Sequence, residues 1–437
     1  MKNIFYFLRR QSPARIIAFG FAAVILAGSG LLMLPVSVRD GVTLRYIDAL
    51  YTSASAVCVT GLIAVDAADT FTAFGQTVIC VLIQMGGLGV TSIGAGIILA
   101  TGRRMNLKER TVVREALNFD SGSGIRRLVR DIFITTLIIE FAGAALSFPV
   151  FLRDHPPLHA VGISIFHSIA AFNNAGFDIL GGGTNLIPYS DSVLLCLVTA
   201  ALIFFGGIGF LVIREVLEKR FRWRRLSMHT RVVLSMSAVL LTGGAVLLKL
   251  SEGSSLDWLG AVFFSFSART AGFSTSPLSG FSNAGLTVLN ILMFIGASPG
   301  STGGGVKTST VFALMQGIKS AATNTGEKAF HYSVPRTAFR KAALIVLIGI
   351  VVVMTGTFLI SLAEPDVPMR DVVTEVVSAF ATVGLSTGIT PTLGVAAKLI
   401  SIVIMYIGRL GPMTIVTMWY FSLGERVSYP EGNLVIG

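Results

Sequence analysis

DALYTSASAVCVTGL, residues 48–62, joins a short apolar run to a glycine signature, and three other stretches repeat the pattern. They are GISIFHSIAAFNNAGF (162–177), LGAVFFSFSARTAGF (259–273) and VVTEVVSAFATVGL (372–385). Each apolar run is about ten to thirteen residues, too short for a hydrocarbon core that needs roughly 20, and reads as a re-entrant helix. The signatures are Val59-Thr60-Gly61-Leu62, Asn174-Ala175-Gly176-Phe177, Thr270-Ala271-Gly272-Phe273 and Thr382-Val383-Gly384-Leu385. Their glycines stand 115, 96 and 112 residues apart. One match of this kind carries little weight, whereas four in register mark a repeated architecture.

What surrounds these runs sets the class. The 437-residue chain is 53% hydrophobic and 13% charged, against roughly 25% charged in a soluble domain. An all-α integral membrane protein is expected. Apolar stretches of spanning length occupy 16–38, 70–102, 132–152, 192–213, 232–248, 284–318, 342–363 and 396–421. The first is too long for a signal-peptide core of roughly 7–15 residues and reads as a span. Eight spans and four short runs divide into four units of span, half-helix, glycine loop and span, arranged around a central pore. Their bounds are 16–102, 129–219, 230–318 and 340–421, followed by a tail at 422–437.

Charge orients them. Residues 1–15, 103–130, 214–231 and 319–341 hold 24 of the 34 Lys and Arg residues and fall on alternate connections. The positive-inside bias puts these loops and both termini in the cytoplasm of a multi-pass cell-membrane protein, with the glycine loops entering from outside. The net charge of +11 is then a topology signal, with anionic lipid contact as its surface consequence. Nucleic-acid binding is disfavoured, because the basic residues are split among loops without interleaved aromatics. Cys58, Cys80 and Cys196 show no pairing or metal spacing, and the five histidines form no metal motif.

Four loops around one axis make a ring. A re-entrant helix ending at mid-membrane aims its negative C-terminal dipole into the cavity. Backbone carbonyls of the following loop can replace the hydration shell of a monovalent cation, and glycine permits the dihedrals this needs. Thr60, Asn174, Thr270 and Thr382 add side-chain oxygens or brace the loops. No carboxylate ring occurs there, which argues against a calcium-type filter.

CVTGL, NNAGFD, RTAGFST and ATVGLST resemble the filter signatures of the Trk/Ktr/HKT superfamily of potassium transporters, closest to the Ktr-type membrane subunit. The resemblance covers essentially the whole chain. It implies a selectivity filter lined by backbone oxygens of Val59-Thr60, Asn174-Ala175, Thr270-Ala271 and Thr382-Val383 beside Gly61, Gly176, Gly272 and Gly384. Sodium-preferring members often carry serine at the first glycine, so Gly61 implies potassium as the transported ion, with sodium as the alternative. The resemblance also implies a homodimer on a cytosolic ring of nucleotide-binding regulatory subunits (the KtrA type). Any nucleotide would sit on that partner, and no cofactor is expected in this chain.

GASPGSTGGGVKTST, residues 296–310, interrupts the sixth span. A broken helix at membrane depth survives only within protein or beside water, and this one is placed to line the pore below the filter. The resemblance implies an intramembrane gate here, formed by Gly296, Ala297, Ser298, Pro299, Gly300, Ser301, Thr302, Gly303, Gly304 and Gly305, with Lys307 at its lower edge. A static kink is the alternative. GSTGGGVKTS misses the phosphate-loop pattern by one inserted residue, Val306, and lacks the preceding strand.

Arg409 lies inside the last span, where a charge usually faces a cavity or partner. The resemblance places it below the filter as a barrier to cations; snorkelling to the cytoplasmic side is the competing reading. Glu140 lies mid-span and reads equally as an interhelical bond or a dimer contact. Arg269 pairs on paper with Glu375. Asp66, Asp69 and Asp178 follow filter loops as cation attractors or as solvated charges. GGLG (86–89) and GGIG (206–209) allow close helix contact or bending. A transporter with a larger solute would need more charged groups at its broken helices, and no nucleophile–base or metal constellation supports an enzyme.

Overall fold

The computed structural model describes residues 11–89, 92–95, 111–113 and 125–419. The tail at 422–437, the first ten residues and most of the basic loop at 103–130 lie outside the described residues. What is described is almost entirely helical, with a single two-stranded hairpin, Lys328–Ala329 with Tyr332–Ser333.

The helices recur in one order: a long leading helix, a short helix, a glycine loop and a trailing helix. The leading helices are Pro13–Leu32, Ile125–Phe151, Met228–Glu252 and Arg336–Ala363. The short helices are Tyr46–Cys58, Pro157–Phe172, Trp258–Ser267 and Met369–Ala381. Polar caps start many of them. Ser12, Ser227 and Asp257 each accept a hydrogen bond from a backbone N–H of the first turn, which satisfies donors the helix leaves open.

The trailing helices depart from the expected spans. Among the described residues, only the four leading helices are single runs long and apolar enough to cross a membrane, and a fifth candidate is a pair bent by 96°. Of the eight expected spans, of which only the sixth was expected to be interrupted, the four trailing ones are all divided. They run Ala73–Leu88, Val193–Ile208, Asn283–Phe294 and Val395–Leu410. A 16-residue helix is about 24 Å long, short of a hydrocarbon core of about 30 Å. Gly89, Gly209 and Gly411 end the first, second and fourth at φ of 83°, 94° and 85°. The third ends at Phe294 and resumes at Thr308. The sequence marked this third break as an interruption because its loop is long, and GGLG (86–89) and GGIG (206–209) offered bending as one of two readings for the first and second; Gly411 gave no comparable signal.

Packing closes a circle. Within every unit the leading, short and trailing helices touch one another, and each trailing helix also packs on the short helix of the next unit, the fourth on the first. Gly28, Gly143, Gly244 and Gly356 sit where the leading helix meets the other two. A side chain there would run into Ser53 and Leu82, Ser168 and Leu202, Ser265 and Leu292, or Val376 and Ile404. In three units the facing serine donates to a leading-helix carbonyl: Ser53 to Ile25 (2.7 Å), Ser168 to Glu140 (2.6 Å) and Ser265 to Leu241 (2.8 Å). The outer faces of the leading helices stay apolar and exposed, as at Phe141 (77%) and Leu362 (70%), which suits contact with lipid.

One ion pair fastens the fourth unit to the first. Lys398 Nζ lies 2.8 Å from Asp48 Oδ1, with the lysine side chain 1% and the aspartate side chain 5% exposed. Asp48 also pairs with Arg45 at 2.7 Å, and Tyr51 bonds Ser401 at 3.0 Å beside it. Sequence reading passed over Lys398, although a lone charge inside an apolar run was the available signal. Lys398→Met leaves the buried carboxylate only its exposed partner Arg45 and should lower stability in detergent by roughly 3 kcal/mol. Adding Asp48→Asn should recover part of that loss; no recovery in a thermal-unfolding assay would show that the pair is not what the lysine contributes.

Candidate functional site

The four glycine signatures meet. Side chains added at Gly61, Gly176, Gly272 and Gly384 would strike the carbonyl oxygens of Ala175, Ala271, Val383 and Thr60 in turn. The loops therefore contact one another in the cyclic order one, two, three, four, one. All four glycines have positive φ, at 88°, 64°, 79° and 99°. Both the dihedral and the lack of space demand glycine.

The residue two places before each glycine is left-handed as well: Val59 at φ 57°, Asn174 at 59°, Thr270 at 76° and Thr382 at 53°. Non-glycine residues adopt this region rarely, and strain of this kind collects at functional sites. Backbone geometry thus aligns Val59 with Asn174, Thr270 and Thr382, and Thr60 with Ala175, Ala271 and Val383. Of the four residues expected to offer side-chain oxygens, Asn174, Thr270 and Thr382 share one position of this register and Thr60 stands one place later.

The loop amides turn away from the ring. Thr60, Ala175 and Val383 donate to the carbonyls of Ser55, Ala170 and Ser378, each five residues back, at 2.8–2.9 Å. Gly61 and Gly384 donate to the hydroxyls of Ser55 and Ser378, and Ala271 donates to the Ser267 carbonyl. With these N–H groups spent on the helix ends, the carbonyl oxygens of Thr60, Ala175, Ala271 and Val383 lie against the glycines of the neighbouring loops. The hydroxyls of Thr60 and Thr382 are buried without a hydrogen-bond partner. Asn174 and Thr270 bond each other across units at 3.2 Å.

Behind the second loop, Asn173 donates to Gln84 (2.7 Å) and Glu140 (3.1 Å). Glu140 is buried and bonded between helices, so the structure selects that alternative over an outward contact. Arg269 does not meet Glu375. Its Nη2 donates to the Gly296 carbonyl at 3.2 Å, and Glu375 accepts from Ser386 (2.7 Å) and Thr390 (2.6 Å).

The 296–305 segment lies immediately under the ring. Side chains added at Gly303 and Gly304 would hit the hydroxyls of Thr270 and Thr382. Part of its backbone is paired inside the protein, in keeping with a break at membrane depth. Ser298 and Thr302 donate to the carbonyls of Gly207 and Gly206, while Phe210 donates to that of Gly300. The loop thus pairs groups freed by the break in the second trailing helix. Arg409 reaches it from the opposite side, donating to the carbonyls of Thr302, Gly86 and Gly87. The arginine is held inside, which does not fit a snorkelling side chain. Below lies a cavity of about 450 Å³ lined at all four breaks, including Gly89, Phe210, Gly300, Gly411, Lys307 and Arg409.

A four-membered carbonyl ring over such a cavity is suited to ions rather than to bond-making chemistry. The family model described as TrkH, cation transport protein, matches residues 6–252 and 228–424. This chain belongs to that family. The family transports ions, so the protein is a multi-pass membrane transporter and no enzyme. It is 36% identical to the potassium/sodium uptake protein NtpJ of Enterococcus hirae, covering 98% of each chain. It is 35% identical to the Ktr system potassium uptake protein B of Bacillus subtilis, covering 98% of this chain and 97% of that one. The crystal structure of the potassium transporter TrkH from Vibrio parahaemolyticus shares its fold at a TM-score of 0.73, with 19% identity over 94% of this chain and 86% of the other.

Acidic residues beside the ring are structural rather than free. Asp66 accepts from Gly183 N–H (2.7 Å) and Asp69 from Gly182 N–H (3.0 Å), tying the first loop to the second. Asp178 is buried and accepts from Leu180 N–H (3.0 Å) and Asn185 (3.2 Å). Burial pushes its carboxyl up from 3.8 to about 6, and the charges of Asp66 and Asp69 add to this against those hydrogen bonds. The folded chain therefore keeps a proton that the unfolded chain has lost. The stability this confers is full below 3.8 and disappears as pH rises through about 6. Asp178→Asn should flatten the fall in thermal stability between about pH 4 and pH 7; an unaltered slope would assign the fall to another group.

Proposed function

We propose that the protein is the potassium-selective, ion-translocating membrane subunit of a potassium uptake system. The observation that carries this is the cyclic contact of Gly61, Gly176, Gly272 and Gly384 with the carbonyls of Ala175, Ala271, Val383 and Thr60. Inward carbonyls with no competing donors replace a dehydrated cation's water, and the short helices direct their negative ends at the same place. The buried, unpartnered hydroxyls of Thr60 and Thr382 gain the ligand that an orphaned oxygen lacks.

On this reading the four units are pseudo-symmetric repeats, and the eight leading and trailing elements are eight spans around a pore. The selectivity filter comprises Val59-Thr60-Gly61, Asn174-Ala175-Gly176, Thr270-Ala271-Gly272 and Thr382-Val383-Gly384. Both termini and the basic loops are cytoplasmic. The segment from Gly296 to Gly305, held by Lys307 and Arg409, is the gate. A homodimer on a cytosolic ring of nucleotide-binding subunits controls it; the names of Ktr-system relatives support such a partnership.

Sodium conduction is the second reading, favoured by the potassium/sodium uptake activity in the name of the Enterococcus relative. Calorimetric titration of the purified chain with K⁺ and Na⁺ separates the two. Preference for K⁺ supports the first reading, and equal or reversed preference rejects it. Gly61→Ser would press on the Ala175 carbonyl and should lower K⁺ preference by roughly tenfold, the equivalent of 1.4 kcal/mol. Arg409→Gln removes a charge from the cavity and a hydrogen-bonded clasp from the loop, and should raise K⁺ flux into liposomes by roughly tenfold. Unchanged flux would mean that neither the charge nor the clasp limits passage.

A further inference from the structure

Lys307 precedes the helix Thr308–Thr323, yet its side chain does not follow the helix. It doubles back so that Nζ lies 2.5 Å from the Gly303 carbonyl and 3.3 Å from that of Gly304. Among the described residues no carboxylate forms an ion pair with it, and the neighbouring charge in the cavity is another cation, Arg409. An ammonium held by peptide carbonyls alone has the environment of a bound alkali cation. Ammonium and K⁺ are close in size and charge, and carbonyl sites that accept one accept the other. The two carbonyls belong to the glycines that abut Thr270 and Thr382 of the ring, and the Thr382 hydroxyl is buried and unpartnered there.

We propose that the Gly303 and Gly304 carbonyls form a monovalent-cation site directly beneath the ring, and that the Lys307 ammonium occupies it in the closed state in place of a permeant ion. Lys307 is then a tethered competitor. While it is seated, an ion leaving the ring finds the next carbonyls taken and a positive charge in front of it. When the loop moves and withdraws the ammonium, the same carbonyls receive the ion. Arg409 differs in kind: its planar guanidinium spans Thr302, Gly86 and Gly87, clasping loop to helix without occupying a spherical site.

This inference rests on the reading of the ring as an ion pathway, and one experiment separates their failures. Full-length protein and its Lys307→Met variant are crystallised in thallium(I) salt, and anomalous density is compared. Wild type should show thallium on the ring alone; Lys307→Met should show it on the ring and at the Gly303 and Gly304 carbonyls. Thallium on the ring of the variant without a second peak overturns the inference and leaves the pathway standing. Thallium on neither site in both proteins overturns the pathway itself. Rubidium flux into liposomes supplies an independent measure, applicable equally to Lys307→Gln if the methionine variant does not fold. Either change should raise flux roughly tenfold, as expected when a charge-assisted hydrogen bond holding the closed state is lost; flux at the wild-type level overturns the competitor role.

Discussion

Four carbonyl oxygens crowd one small space with their own amides turned away, and the rest of the molecule exists to make that tolerable. Oxygens so placed repel one another, and only the helix ends behind them and the protein around them hold the arrangement. The constraint passes outward by contact. Each ring glycine leaves room for the neighbouring loop's oxygen, each short helix is seated against its leading helix at a glycine, and each trailing helix bridges to the next unit. No unit carries a complete site. A carbonyl from one loop faces the glycine of another, so precision comes from closing the circle.

The same economy of backbone explains the region below. Four trailing helices break at one level around a cavity, and the longest break supplies hydrogen bonds to the second helix at Gly206, Gly207 and Phe210. The segment is thus a structural partner of the second trailing helix. Moving it costs the hydrogen bonds it makes to the second trailing helix, to Arg269, to Arg409 and within itself through Lys307. Those bonds are mostly to backbone carbonyls.

Much of this was legible in the sequence because its signals are repeated. A short apolar run before a glycine means little once, but four copies in register gave the ring, and the glycine-rich stretch at 296–310 gave the loop beneath it. Register within the ring was set by aligning the four glycines, which side-chain type alone would not have given. Thr60 looks like Thr270 and Thr382, yet Val59 is their counterpart, because left-handed geometry follows distance from the glycine and not side-chain type. For GGLG (86–89) and GGIG (206–209) the sequence left bending and close helix contact open, and the structure shows the bend at Gly89 and Gly209; the break at Gly411 gave no signal, since an apolar run hides a bend that one residue produces. Pairings far apart in the chain, such as Arg269 with Gly296 and Lys398 with Asp48, leave no periodic trace at all.

That last pair has a consequence for how the protein is made. Asp48 opens the first short helix, and Lys398, 350 residues later, begins the last trailing helix. During synthesis the first quarter of the ring is threaded into the bilayer long before its lysine exists. Until then its buried carboxylate has only Arg45, a surface partner. The final trailing helix therefore acts as a keystone, and a chain cut short before residue 398 keeps three packed units and an open circle. Such a product would leave the Asp48 carboxylate to the exposed Arg45, without its buried partner and without the helix that packs the fourth unit on the first.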